Sequence, residues 1–109
     1  MHNDIDVIKK IISEIEYVEE FTNGMTYEDF MADEKTRRSV VMTFINMAEA
    51  SKLLSEKFKD ETNVPVKEMI ALRNVAAHKY DGIRFEMVWN AVDKALPDLK
   101  KRLEEIMGS

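Results

Sequence analysis

The chain has no cysteine, and only three glycines and two prolines among its 109 residues. Without cysteine there is no disulfide framework and no thiolate for zinc or an iron–sulfur cluster, and nothing points to an oxidising compartment. Two histidines, one of them at the second residue, make a poor donor set for any metal, so no metal and no cofactor is expected. Few glycines and prolines, in a chain rich in helix formers, favour an all-α domain. No run of about 18 apolar residues occurs, so no membrane span is expected. The opening MHNDIDVIKK carries acids early and lacks an unbroken apolar stretch, so it does not read as a signal peptide, and the expected location is the cytoplasm. Excess positive charge is lacking too. Sixteen Lys and Arg against 21 Asp and Glu give a formal net charge of −5. Bulk attraction to phosphate backbones is therefore excluded, and a nucleic-acid substrate would need a local cationic cleft.

What is present is helix-forming composition with apolar residues at helical spacing. The length suits one domain, taken here as residues 1–109. A first helix is expected from about Asp4 to Thr22, with Ile5, Ile8, Ile12, Ile15 and Val18 as its stripe and Ile11 and Phe21 widening it. Asn3 or Asp4 caps its start, and Asn23-Gly24 stops it. MTYEDFMAD reads as a connection whose Phe30 and Met31 tuck against the core. Asp33 caps a long second helix, from about Glu34 to Lys59, with apolar positions at Val41, Phe44, Ile45, Ala48 and Phe58. Asp60 to Val64 is expected as a loop, and Pro65 suits the first position of a third helix over about Val66 to Ala77. Asp81-Gly82 marks a turn. A fourth helix runs from about Arg84 to Lys94, Pro97 kinks or interrupts it, and a last segment reaches Met107. The fold class is all-α: an antiparallel four- to five-helix up-and-down bundle.

One stretch gathers reactive groups. ALRNVAAHKYDGI, from Ala71 to Ile83, carries Arg73, Asn74, His78, Lys79 and Tyr80 at a helix end and its exit turn. Histidine has the one side chain whose unperturbed pKa lies near neutrality. At 100° per residue Asn74 and His78 share a face, about 40° apart, whereas Arg73 and His78 stand about 140° apart. An unwound helix end, or two copies facing each other across a two-fold axis, would bring them together. These groups suit RNA cleavage without metal. Imidazole takes the proton of the ribose 2′-OH as that oxygen attacks the adjacent phosphate. The guanidinium fork stabilises charge on the phosphoryl oxygens. Asn74 orients the imidazole or a phosphate oxygen, Lys79 adds positive charge, and Tyr80 donates a hydrogen bond or stacks on a base.

RNVAAHKY resembles the Arg-x4-His-x-Tyr motif of HepT-like proteins in the HEPN superfamily, with Asn74 at a position that is usually polar. The likeness extends through YEDFMADEKTRRSVV, through MAEASKLLSEKF with Glu49 in the usual Glu-Ala pair, and through VPVKEMIALRN. It continues in DGIRFEMVWNAVDKALPDLKKRLEEI, with its Gly, Trp and Leu-Pro. It spans about Tyr27 to Ile106. The chain departs from the common motif in Val75-Ala76-Ala77 and Lys79, where bulkier aliphatic residues and glycine are frequent.

The resemblance implies a HEPN-like bundle that forms a homodimer, with Arg73 and His78 lining a shared cleft. It implies an endoribonuclease toxin acting on RNA. Its partner would be a minimal nucleotidyltransferase antitoxin of the MntA type, which silences the toxin by transferring AMP to the motif tyrosine, here Tyr80. The alternative is a non-catalytic HEPN interaction subunit that binds, and is AMPylated by, such a nucleotidyltransferase.

Structural roles compete for the same residues. Histidine is favoured at a helix C-terminus by the macrodipole, and arginine pairs readily with a carboxylate. For Tyr80 the competing role is packing of its ring at the edge of the core. Trp89 and the methionines read as core or dimer contacts. Lys35, Arg37 and Arg38 read as a solvated helix start that an RNA path could also use. Glu49 lies among apolar neighbours. If it were buried it would need a partner, for which Arg73 is the candidate.

Overall fold

A computed structural model describes residues 3–77 and 82–108. Among them are seven α-helices and one π-helical turn, and no strand.

Helix α1 covers Asp4–Thr22. Asn3 caps it, its side-chain oxygen accepting from the N–H of Ile5 at 2.9 Å and of Asp6 at 3.4 Å. Val7, Ile8, Ile11, Ile15, Val18 and Thr22 are buried. The stripe thus centres on Ile8, Ile11 and Ile15, while Ile5 and Phe21 at its ends are exposed.

The connection expected after α1 contains a helix, α2, Tyr27–Ala32. Six residues are too few to hold a helix by propensity alone. This one is closed at its start by a capping box, in which the Asp29 N–H donates to the Thr26 hydroxyl and the Thr26 N–H to the Asp29 carboxylate, each at 3.1 Å. Phe30 is fully buried, as expected. Asp33 then caps α3, Glu34–Ser51, accepting from the N–H of Thr36 at 3.0 Å and from its hydroxyl at 2.8 Å.

The second long helix does not reach Lys59 as expected. It ends at Ser51, and α4, Glu56–Thr62, follows after a short break. The cause is competition for backbone groups. The Ser55 N–H, which a continuing helix would direct to Ser51, instead donates to the Asp4 carboxylate at 2.8 Å. The Ser55 hydroxyl donates to the other Asp4 oxygen at 2.8 Å and accepts from the Phe58 N–H, capping α4. Asp4 thereby pins the start of α1 to the break. The expected loop at Asp60 shrinks to the residues after Thr62, where Asn63 ends α4 with φ 56°, a left-handed cap.

Helix α5, Val66–Ala77, lies as predicted. Helix α6, Gly82–Asn90, leads into a π-helical turn, Ala91–Ala95, and then α7, Leu96–Met107. Pro97 explains the turn. It has no N–H to continue the ladder and its ring crowds the preceding carbonyls, so the chain widens and the Leu96 N–H reaches back to the Ala91 carbonyl. The proline interrupts helical geometry without ending the rod.

Three contacts set the directions of the rods. Asp4 at the start of α1 meets Ser55 just past α3. Glu68 near the start of α5 faces Arg102 in α7 at 3.5 Å. Arg37 near the start of α3 lies over Phe85 near the start of α6. α1, α3, α5 and the α6–α7 rod therefore run alternately up and down, with α2 and α4 at opposite ends, around one apolar cluster that includes Ile8, Ile15, Phe44, Met47, Met69 and Leu103.

Candidate functional site

Helix α5 packs mainly on α3 and delivers Arg73 and Asn74 at its C-terminal turns. Its buried side is Met69, Leu72 and Ala76, so residues one position from that stripe sit on its flank. Arg73 is such a residue. It is half-buried, and its Nε is buried with no hydrogen-bond partner among the described residues. An unmatched guanidinium donor holds back part of the arginine's binding capacity, since buried donors normally find acceptors. Asn74, one residue on, is exposed on the outer face. His78, Lys79 and Tyr80 lie outside the described residues, so the expected meeting of Arg73 with His78 rests on the sequence.

Glu49 and Arg73 are not brought together. The buried side of α3 is Val40, Thr43, Phe44, Met47, Ala48, Ala50 and Ser51, which turns Glu49 to solvent. There it accepts from Lys52 at 3.1 Å. Of the expected stripe on α3, Phe44 and Ala48 are buried, whereas Val41 and Ile45 are half-buried and Val40 takes the core position.

Arg37, on the same side of α3 as Phe44, corrects the reading of Lys35, Arg37 and Arg38 as one solvated patch. Lys35 and Arg38 are exposed, and Arg38 pairs with Glu34 at 3.1 Å. Arg37 is half-buried. Its Nη1 donates to the Phe30 carbonyl at 3.2 Å and to the Met31 carbonyl. Both carbonyls lie in the last turn of α2, where that of Phe30 also accepts from the Asp33 N–H at 3.2 Å. The guanidinium also lies 5.1 Å from the ring centre of Phe85, and Phe30 packs against Trp89 at 5.2 Å. Arg37 therefore clasps α2 and α3 to the first turns of α6. Sequence reasoning missed this residue. Its signal was heptad spacing: Arg37 stands seven residues before Phe44, on the core side of α3.

Among the described residues two groups titrate away from their ordinary values. The Thr36 N–H and hydroxyl hold the Asp33 carboxyl below the usual range. The hydrogen bond to Glu19 raises the Lys100 ammonium, which ties α7 to α1. A cleft of about 680 Å³ opens at the other end of α5, between Lys59, Pro65, Lys67 and Arg102. At 1.5 Å per residue Pro65 lies about 12 Å along the axis from Arg73, so this cleft is not the motif's. Among the described residues no three His, Cys, Asp or Glu side chains cluster as metal ligands, and no helix is long and apolar enough to cross a membrane.

Residues 11–106 match the family described as Ribonuclease HepT-like. A protein of Thermococcus cleftensis named as a probable ribonuclease HepT is 33% identical over 102 residues, covering 93% of each chain. A "Putative RNase" of Caldanaerobacter subterraneus is 31% identical, covering 92% of this chain and 90% of its own. One from Methanocaldococcus jannaschii is 36% identical, covering 89% of this chain and 81% of its own. No solved structure matches. With a helical bundle in place and the family match running from α1 into α7, the chain belongs to the Ribonuclease HepT-like family of HEPN proteins.

Proposed function

We propose that this chain is a metal-independent endoribonuclease, the toxin of a HEPN/MNT toxin–antitoxin pair, working as a homodimer with a composite site. The observation that carries the reading is the family match across RNVAAHKY. It is supported by Arg73, which stands at the exit of α5 with an unmatched donor.

In this reading RNA binds in the cleft shared by two copies. The His78 imidazole takes the proton of a ribose 2′-OH. The 2′-oxygen bonds to the adjacent phosphorus, the bond from phosphorus to the 5′-oxygen breaks, and the departing oxygen is protonated. The products are a 2′,3′-cyclic phosphate and a 5′-hydroxyl. The Arg73 fork neutralises charge gathering on the phosphoryl oxygens. Asn74 orients the imidazole or the phosphate, and Lys79 contributes local positive charge in an acidic chain. Tyr80 contacts the RNA and is also the hydroxyl to which an MntA-type nucleotidyltransferase adds AMP, putting bulk and negative charge where a phosphate must dock.

The test is RNA cleavage in EDTA by the purified chain and by its His78→Ala variant. The parent cleaves and the variant loses at least about a hundredfold, the scale of a removed acid–base group. Equal cleavage by both would defeat the assignment. An inert parent that still gains AMP on Tyr80 when co-expressed with the nucleotidyltransferase would make the chain the non-catalytic subunit.

A further inference from the structure

The cleft at the start of α5 gathers cations from three elements: Lys59 from α4, Lys67 from α5 and Arg102 from α7. Its volume, about 680 Å³, is in the range of ligand pockets. In a chain of net charge −5, such a gathering supplies what bulk charge does not, a local attraction for an anion. Lys59 pairs with Glu56 at 2.7 Å and Arg102 with Glu68 at 3.5 Å. The carboxylates of both pairs are more than half accessible, and exposed pairs contribute little and exchange readily. Lys67 is exposed and forms no ion pair among the described residues. Glu68 and Glu105 line the cleft as well, so against three cations they leave one positive charge in excess. That excess matches a phosphodiester, with its single negative charge, better than a phosphate monoester, which carries close to two.

The place of the cleft on α5 says whose phosphodiester this is. Lys67 and Asn74 are seven residues apart. At 100° and 1.5 Å per residue they lie within about 20° of each other and about 10 Å apart along the axis. Both are exposed, and so is Ala71 between them, whose methyl group brings neither charge nor bulk. One open strip of α5 therefore runs from the cleft to the residue beside Arg73. A stacked strand advances about 3.4 Å per nucleotide, so a strand cut at Arg73 and Asn74 brings a phosphate about three nucleotides away to Lys67.

We propose that the cleft is a second phosphate subsite for the RNA strand, in which Lys67, backed by Lys59 and Arg102, holds a phosphodiester about three nucleotides from the one that is cut. The inference rests on the ribonuclease reading for the strand and adds the path the strand takes. Lys67 touches no reacting atom. It binds ground state and transition state alike, so it lowers KM and leaves kcat alone. A strand too short to reach the cleft gains nothing from it.

The experiment measures kcat and KM in EDTA on strands with a single ribose, carrying one or about five deoxynucleotides on its 5′ or its 3′ side. Extension on one side lowers KM for the parent. Lys67→Glu raises KM for that extended strand at least roughly fivefold, with kcat and the short strands unchanged. Lys67→Arg keeps the charge and matches the parent. So does Lys9→Glu, which makes the same change of net charge on α1. Extension without gain, or a Lys67→Glu variant that matches the parent or loses equally on short strands, would overturn the subsite. Binding of a fluorescent 2′-O-methyl strand, which has no attacking hydroxyl, reads the same contact without cutting. A chain that cuts nothing but binds this strand, with Lys67→Glu reducing the salt slope by about one, would defeat the ribonuclease reading and spare the subsite. A chain that cuts but binds long and short strands alike would do the reverse. No binding of the strand would overturn the subsite outright. 5′-AMP is the last arm: if it fills the cleft as tightly as the strand does, the site belongs to a free nucleotide and the RNA path is wrong.

Discussion

Two adjacent arginines offer a sharp comparison. Arg37→Met keeps the aliphatic stem of the side chain and removes the guanidinium. What is lost is the donor shared by the Phe30 and Met31 carbonyls and the contact with the Phe85 ring. Hydrogen bonds to a charged group contribute roughly 1.5–3 kcal/mol, and a partly exposed cation–ring contact roughly 0.5–2 kcal/mol. Against this, the buried Nε has no partner. Removing it relieves a desolvation cost of roughly 1–3 kcal/mol. The balance is a loss of about 1–3 kcal/mol, or roughly 5–15 °C in Tm for a domain of this size. Arg38→Met breaks only the exposed pair with Glu34, so it costs a few tenths of a kcal/mol and moves Tm by less than about 3 °C. Thermal unfolding followed by circular dichroism reads both, and amide exchange in α2 rises in the Arg37 variant alone. Equal Tm shifts for the two variants would refute the claim that Arg37 clasps the corner.

Three further outcomes follow from the same contacts. Asp4→Ala frees the Ser55 N–H and hydroxyl, and urea unfolding shows a loss of about 1–2 kcal/mol; an unchanged midpoint would remove Asp4 as the staple of the α3–α4 break. Asp33 titrates lower in the folded chain than its ordinary 3.8, so its contribution is full above that value and is lost as pH falls through the lower folded value. Lys100 titrates above its ordinary 10.5, so its contribution is full below that value and fades as pH rises through the raised one. Asp33→Asn therefore flattens the acid limb of a stability–pH profile and Lys100→Met the alkaline limb, and limbs that keep their slopes would contradict both. Gly24→Ala meets no atom within 4 Å but forces a side chain onto φ 76°, so it costs about 1 kcal/mol of backbone strain, read by the same unfolding assay.

Most of the fold was legible because α1 and α5 have clear ends: Asn3 and Asn23 for the first, Pro65 and the motif for the second. Where the sequence misled, a long-range contact had overridden a local pattern. Nothing within Ser51–Ser55 says that Asp4, fifty residues away in the chain, will take the Ser55 N–H. The VVMTFINM run offers apolar residues on every side, so its periodicity did not fix which face is buried. Val41 and Ile45 were therefore expected in the core where Val40 is the buried residue, and the burial of Glu49 stayed conditional, whereas it faces solvent and pairs with Lys52. The reactive motif was legible for a different reason. Arginine and histidine were singled out by their chemistry and by collinear resemblance, which do not depend on helix phase.

The most direct test of the account is an oligonucleotide with a single ribose in an otherwise deoxy strand, incubated with the purified chain in EDTA. The account predicts one cut, 3′ to that ribose, leaving a 2′,3′-cyclic phosphate, with no cut in the all-deoxy strand and none by Arg73→Ala or His78→Ala. Cutting of the all-deoxy strand, or undiminished cutting by either variant, would contradict attack by the 2′-oxygen through these two residues.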